Sequence, residues 1–585
     1  MKMNILTLQH SVYPDTALKT VDSLYFHADK TACWHESQKV WCIPESESIS
    51  FDSFFNAFSV YKWRKHTRLD NLSFQLTVEG QGIATLYLTQ HSDTCMIAQR
   101  EIGSGSYTLD IDMAELHDGR LHFHWHSLGE SNISRFSFIT QHQEAEESRL
   151  AIVIPTFNRQ QEIQTAVERL HNQLLSAPEF KQRVTLYIIN NGDEISIPEA
   201  ENIIYIKNKN LGGAGGFTRG LMEIKKRAAE AFCLFMDDDA SCEIESIRRT
   251  FAFLTLSNTR HKMIAGAMLY AENPGVVYEA GALYPYRQLQ MRPLKSNLNV
   301  TTPGGITEFD ADSETPNYAA WWFCAFNVSS IQYYAFPFFI RGDDILFGLM
   351  HKHDIVTLNG IGSWQKNFKA KYNPWVEYLS TRAMLVPAFL YPTFVKRVSI
   401  AAYIAIKVIL LCFVFRYGAA EAVLEAYKHV LSGPENWGKD PGAAMAKQRI
   451  SAIIADAKNI KSVNGQYDLV GDSKLVEKVW HKLFRLLLLN GYLIPGFLLS
   501  NSSVVINDEE IHPTKQTFLK RDVVYFNEEL GEYKLYVRDI RKALFIFSKT
   551  LFWVLLGVLK FNGISKKYRD NIDYMTSELF WKKHF

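Results

Sequence analysis

Residues 72–88 (LSFQLTVEGQGIATLYL) alternate apolar and polar side chains around glycine-containing turns, and residues 121–128 (LHFHWHSL) repeat the alternation. A period of two puts successive side chains on opposite faces of a strand, so this first region predicts several short strands folded as a β-sandwich. The polar stretch 141–149 (QHQEAEESR) reads as a linker. At Leu150 the rhythm changes. LAIVIP, VTLYIINNGDE and NIIYIKNKN read as strands, and QQEIQTAVERLHNQLL has helical spacing. AGGFTRGLMEIKKRAAE is a helix opened by glycines, and AFCLFM (231–236) is a short buried strand. Strands alternating with helices predict an α/β domain built on a largely parallel sheet. Beyond Tyr372 the pattern is mostly helical. Residues 419–433 (AAEAVLEAYKHVLSG) stop at a glycine, and residues 476–491 set Lys478, His481, Lys482 and Arg485 among apolar residues. The second stretch fits an amphipathic helix on a membrane surface or a core helix with a solvated basic face. The expected boundaries are 1–148 for the sandwich, 149–372 for the α/β domain and 373–585 for a mostly helical, membrane-associating region.

Two longer apolar runs, 398–415 and 543–559, are interrupted by Lys407 and Lys549. Both are near the lower length limit for a span, and a central lysine is costly in lipid, so buried or interfacial helices are expected. Lys and Arg number 63 against 62 Asp and Glu, a balance that excludes a nucleic-acid binder relying on a strong basic excess. Aromatics make up 13% of the chain, which suits sugar rings but also fills cores. Seven cysteines show no metal-ligand spacing. The start, MKMNILTLQHSVYPDT, does not look like a signal peptide, so a reducing cytoplasm is expected, with Cys33 and Cys42 bridged only in a different compartment.

The sharpest chemistry lies at FMDDDA (235–240), where a buried strand runs into three adjacent acids. Like charges repel, and each carboxylate is costly to desolvate without a partner. If the segment stays extended, Asp237 and Asp239 point one way and Asp238 the other. Two carboxylates on one side suit a hard divalent cation. The alternative is a solvated acidic turn capping a helix that starts near Glu243. Three neighbours bear on the choice. VIPTFNR brings Thr156 and Arg159, INNGDE brings Asn190, Asn191 and Asp193, and NKNLGGAGGFTRG brings Gly212, Gly213 and Arg219. Glycines before a helix serve close packing, or they open backbone N–H groups to a phosphate. Further on, NYAAWWFCAFN carries Trp321 and Trp322, which face opposite sides if extended. FPFFIRGDDILFGLM then places Asp343 and Asp344 at a helix start, a position the helix dipole favours whatever the function.

In this order, the four central segments resemble the nucleotide-sugar half of a family 2 glycosyltransferase with the GT-A (Rossmann-like) fold. WWF, FIRGDDILFGL, GIGSW (360–364), YLSTRAML (378–385) and the N-terminal stretch 51–76 narrow the likeness to the polymerising galactofuranosyltransferases of the mycobacterial cell-wall type. That resemblance implies an N-terminal β-sandwich, a GT-A domain and a C-terminal helical region. It implies that Asp237 and Asp239 bind Mn²⁺ or Mg²⁺, and that Asp238 faces the donor sugar. Thr156, Arg159, Asn191, Asp193, Gly212, Gly213, Arg219 and Asp237 would form the donor site. Trp321, Trp322, Glu279, Trp364 and Tyr378 would shape the sugar sites. Asp344, beside Asp343, would be the general base in a single inverting displacement. One position departs from the family: Gln365 stands where a metal-binding histidine is usual, and an amide oxygen is a weaker ligand for a transition metal. His351 or His353 would be substitutes.

The expected protein is a cytoplasmic, peripherally membrane-bound enzyme. It moves galactofuranose from its UDP donor to a growing, lipid-linked bacterial surface glycan. Another donor sugar (UDP-galactopyranose or dTDP-rhamnose) and a catalytically inactive glycan-binding protein are the rival readings. A homo-oligomer stays open.

Overall fold

The computed structural model describes residues 4–585 apart from 115, 143–147, 286–287, 367–372, 393–396, 458–459, 464–478, 501–502, 509, 511 and 529–530. The alternating N-terminal segments form two six-stranded antiparallel sheets packed face to face. Leu72–Glu79 and Gly82–Gln90 are joined by a glycine turn but belong to different sheets. Between the sheets, Phe51, Phe74, Phe123 and Phe136 pack ring on ring, with Trp41 against them. Cys33 lies opposite Cys42 across a hairpin, and both are free thiols.

From Leu150 a seven-stranded sheet begins. Across it the strands run Ile203–Lys207, Val184–Asn190, Leu150–Thr156, Phe232–Met236, Phe323–Asn327, Lys262–Ala265 and Asp354–Val356. The first four are parallel, and Phe323–Asn327 is antiparallel to both of its neighbours. The strand order reverses beside Leu150–Thr156, so the loops after Thr156, Asn190 and Met236 open at one crevice, where ligands of such sheets gather. A smaller four-stranded sheet carries Gly362–Gln365 beside Ser241–Cys242 and Ala267–Tyr270.

The sandwich and the large sheet share one apolar core that runs from Leu8 to Trp364. Polar contacts pin the join. Tyr25 donates to Glu243 (2.6 Å), and the fully buried Arg249 donates to the carbonyls of Asn359 (3.0 Å) and Phe55 (2.9 Å).

The C-terminal region is helical with one unexpected addition. Strands Ile460–Val463, Val505–Asn507, Asp522–Asn527 and Glu532–Val537 make a four-stranded sheet. Short polar-flanked strands give little periodic signal, and pairing across tens of residues supplies what the local pattern lacks. The first apolar run is the helix Arg397–Phe413, whose Lys407 is satisfied inside the bundle by Glu377 at 2.7 Å. The second lies in the 36-residue helix Ile540–Met575, which leaves Leu551, Phe552, Leu555 and Leu559 exposed. Among the described residues it is the one helix long and apolar enough to cross a membrane by length and composition. Helix Val479–Leu487 exposes Trp480, Phe484 and Leu487, but its Arg485 turns inward to Thr514 (2.9 Å) instead of joining a basic face. Val476, Glu477 and Lys478 lie outside the described residues.

Replacing Arg249 by Met strips two donors from buried carbonyls at the domain join. The expected cost is about 3 kcal/mol, read as a lower thermal midpoint in which both domains still melt together. Separate melting of the sandwich would count against a shared core.

Candidate active site

The acidic triplet leaves the sheet in a turn: the Ala240 N–H donates to the Asp237 carbonyl at 3.4 Å. The segment is therefore not fully extended, and its side chains divide only in part as the alternation predicts, because Arg159 bridges Asp238 and Asp239. Gln365 Nε2 donates to Asp239 Oδ1 (3.0 Å) and Asp237 Oδ2 (3.4 Å). Asp238 faces elsewhere, accepting from Thr156 Oγ1 (2.7 Å) and Arg159 Nη1 (2.9 Å). The same Nη1 reaches Asp239 Oδ2 at 2.5 Å. None of the three caps the following helix, which starts at Ile244 with Glu243 before it.

Burial, then Asp239 and Asp238, pushes the Asp237 carboxyl up to about 7. Burial also raises Asp238, while Thr156 and Arg159 oppose the rise. The Arg159 guanidinium is held above its usual range by Asp238 and Asp239 against the effect of burial.

The Gly-rich turn brings the second acidic pair to the first. Gly212 has φ +69°, and a Cβ there would fall 2.1 Å from the Phe339 carbonyl oxygen, which accepts from the Ala214 N–H at 3.1 Å. Only glycine admits this close approach. At Gly213 a Cβ would stand 3.4 Å from Asp343 Oδ2. Asp343 and Asp344 open the helix Asp343–His351 behind Gly342, whose φ is +89° and whose missing side chain makes room for Ala383. Burial raises Asp343 well above the carboxylate range, and Asp344 and Asp237 add to the rise. Asp344 is pushed up to about 6 by burial, opposed by backbone N–H groups and Arg341; its Oδ1 accepts from the Ile345 N–H at 2.8 Å. Glu279, 2% exposed, is raised by burial and by Asp344, and its Oε1 has no partner.

The remaining predicted residues divide. Asn191 accepts from Asn208 Nδ2 (2.8 Å) and lies beside Gly212, while the Asp193 side chain is exposed at the crevice edge. Trp322 is half-buried, donates to the Gly266 carbonyl (3.2 Å) and meets Tyr278 edge-on. Trp321 instead packs into the core against Phe217, Phe235 and Phe347. Trp364 is core too, 3% exposed and packed near Phe55. Arg219 sits about 10 Å along its helix from Gly212, paired with Glu223 and lying over Phe585. The Tyr378 hydroxyl bonds His429 at 2.6 Å and lines a separate cavity. His351 lies at the far end of the Asp343 helix and accepts from the N–H groups of Gln332 and Tyr333, and His353 bonds Ser330. Neither reaches the triplet to stand in for Gln365. Arg341 and Tyr278 join the site without a motif of their own. Arg341, in a left-handed conformation, donates to Ser380 and lies within the field of Tyr278 and Asp344. A cation two residues before an acidic pair was the available signal.

Among the described residues no group of three or more His, Cys, Asp or Glu side chains is arranged to hold a metal. The donor set at the triplet is two carboxylates and an amide whose oxygen, Gln365 Oε1, is buried without a partner. An oxygen set of this kind suits a hard cation that takes its other ligands from a substrate's phosphates.

These features describe a GT-A glycosyltransferase architecture. Residues 8–137 match the family described as Galactofuranosyltransferase 2 N-terminal, and residues 151–309 match Glycosyl transferase family 2. The chain thus carries both domains in that order. It is 24% identical over 441 residues to "Galactofuranosyltransferase GlfT2" of Mycolicibacterium smegmatis, covering 67% of this chain and 65% of that protein. It is 24% identical over 394 residues to the Mycobacterium tuberculosis protein of the same name, covering 59% and 58%. The chain thus spans somewhat under two thirds of the relatives it matches. A crystal structure of GalNAc-T7 with UDP, GalNAc and Mn²⁺ aligns over 43% of this chain and 51% of its own, at 9% identity and a TM-score of 0.31.

Arg159→Met removes a cation that holds the Asp238 carboxyl down. Its carboxyl then rises further, so the ionised form is the one penalised. Without metal, the variant's loss in thermal midpoint should be small near pH ~4 and widen towards pH ~7. A loss independent of pH would mean that Arg159 acts by packing alone.

Proposed function

We propose that the chain is an inverting glycosyltransferase that moves galactofuranose from UDP-galactofuranose to a hydroxyl of a growing, lipid-linked bacterial surface glycan. The observation carrying this reading is the convergence of the triplet with Asp343, Asp344 and Glu279, on a chain that matches Galactofuranosyltransferase 2 N-terminal followed by Glycosyl transferase family 2. The crevice supplies what a nucleoside diphosphate needs. At the Gly212 helix start the N–H groups of Gly212 and Ala214 are taken by Asn210 Oδ1 and the Phe339 carbonyl, which leaves the Gly213 N–H to meet a phosphate, and Asn191, Asp193 and Thr156 border the place of the nucleoside. Asp237, Asp239 and, with its amide turned over, the oxygen of Gln365 would hold Mg²⁺ or Mn²⁺, which would supply charge neutralisation for the departing diphosphate. Asp238 is fixed by Thr156 and Arg159 at the donor side. Asp344 is the base: a carboxyl at about 6 is ionised at neutral pH yet basic enough to take the acceptor's proton as its oxygen attacks. Glu279, Arg341, Tyr278 and Trp322 shape the acceptor side.

The exposed apolar side chains of Ile540–Met575 and Val479–Leu487 support a peripheral place on the inner face of the cell membrane. The Gln365 amide, donating to both metal-side carboxylates, favours one second reading: a protein that binds glycans without turnover.

UDP release with UDP-galactofuranose, Mg²⁺ or Mn²⁺ and a galactose-terminated lipid-like acceptor tests the reaction. Asp344→Asn should slow transfer by about 10²–10⁴-fold while UDP still binds. Turnover should fall as pH drops through about 6, because the base form is lost on protonation. Release insensitive to EDTA and to the Asn variant would sink the assignment. Gln365→His adds an imidazole nitrogen, so Mn²⁺ affinity of EDTA-stripped protein, read by electron paramagnetic resonance, should rise relative to Mg²⁺. An unchanged Mn²⁺ affinity would remove Gln365 from the metal site.

A further inference from the structure

A cavity of about 340 Å³ opens in the C-terminal region among the helices Pro374–Leu390, Tyr417–Leu431 and Ala444–Ala455. None of the acids of the active site lines it. Beneath it lies Arg382, 1% exposed, its guanidinium 4.7 Å from the ring centres of both Tyr378 and Trp437. Arg382 Nη2 donates to the Phe338 carbonyl (2.7 Å), and among the described residues its Nε has no partner and no carboxylate bonds it. His429 lies flat on Trp437 at 4.5 Å and is bonded to Tyr378. Lys428, Lys439 and Arg449 line the cavity. Lys428 is paired with Glu425, whereas Lys439 and Arg449 have no acidic partner among the described residues. The other lining carboxylate, Asp440, is occupied as a helix cap, accepting from the N–H groups of Ala444 (2.8 Å) and Ala446 (3.1 Å).

We propose that this cavity is a phosphoryl-binding pocket. Of the three cations that line it, Lys428 is paired with Glu425, and Asp440 is taken up by backbone N–H groups, which leaves the two positive charges of Lys439 and Arg449 to meet an anion. A phosphoryl group carries about that much negative charge near neutral pH. A neutral sugar would leave the excess standing, and a single carboxylate would offset only half of it. Guanidinium and ammonium groups are the side chains that recognise phosphate oxygens. The pocket also has a route to the active site. Arg382 holds the Phe338 carbonyl, Ser380 of the same helix accepts from Arg341, and Ala383 packs on Gly342. A phosphoryl group seated there therefore lies against Tyr378 of the helix that braces the Asp343–Asp344 loop. Its source is either the terminal phosphate of a soluble or acceptor-linked diphosphate, or the headgroup of a membrane lipid.

The test uses the full chain in EDTA, which removes metal-dependent binding at the acidic triplet. Inorganic pyrophosphate is titrated by calorimetry, and sedimentation is measured with phosphatidylcholine vesicles with and without phosphatidic acid. Lys439→Glu/Arg449→Glu, both exposed, should weaken pyrophosphate binding by about tenfold or more. A charge-matched Lys19→Glu/Lys30→Glu control should bind as the wild type does. Loss in the pocket variant of pyrophosphate binding alone assigns a soluble or terminal phosphate. Loss of phosphatidic-acid binding as well assigns a lipid headgroup. No saturable binding of either probe, or equal binding by wild type and pocket variant, overturns the proposal.

Discussion

Carboxylates crowd into one desolvated crevice, and the surrounding structure is arranged to tolerate them. Asp237, Asp238, Asp343, Asp344 and Glu279 are all raised by burial, and several raise one another. Left alone, such a cluster would stay protonated or push the loops apart. Thr156 and Arg159 anchor Asp238, Gln365 spans Asp237 and Asp239, and the backbone at the start of the Asp343 helix receives Asp344. The negative charge left over is an electrostatic demand for a cation, and that demand links the fold to the proposed chemistry.

The second acidic pair stays in place because the C-terminal region holds its loop from behind. The Tyr334 N–H donates to the Thr576 carbonyl, Trp581 donates to the Ala335 carbonyl, and Phe336 and Phe338 pack on Trp437. Arg382 then takes the Phe338 carbonyl. The helical region thus forms the far wall of the α/β domain as well as exposing an apolar face. The sandwich has a comparable part on the other side, sharing one core with the sheet and fixing the helix after the triplet through Arg249.

Much of the fold was legible because its signals are local. Alternation in residues 72–88, strand–helix rhythm from Leu150, and charges ending a buried strand each need only neighbours in sequence. The pairing of Asp237 with Asp239 followed the same way, but the turn also joins Asp239 to Asp238 through Arg159. What failed was also local in origin. Trp321, Trp364 and Arg219 carry residue types suited to sugars and phosphates, but the first two pack into cores and the third pairs along its own helix. The C-terminal sheet left no readable periodicity because its strands are short and pair across long separations.

The sequence by itself determined the order of sandwich, α/β domain and helical region, the acidic triplet at a strand end, the acidic pair at a helix start, and glutamine at position 365. Those features depend on period, residue chemistry and adjacency. Only the tertiary structure decided that Gly212 must be glycine to admit the Phe339 carbonyl, that Asp343 stands near Gly213 and Asp237, and that Arg341 and Tyr278 belong to the same site. It alone gathered Lys428, Lys439 and Arg449 around one cavity. The reason is physical: burial and electrostatic coupling depend on distances between segments far apart in the chain, and the folded packing sets those distances.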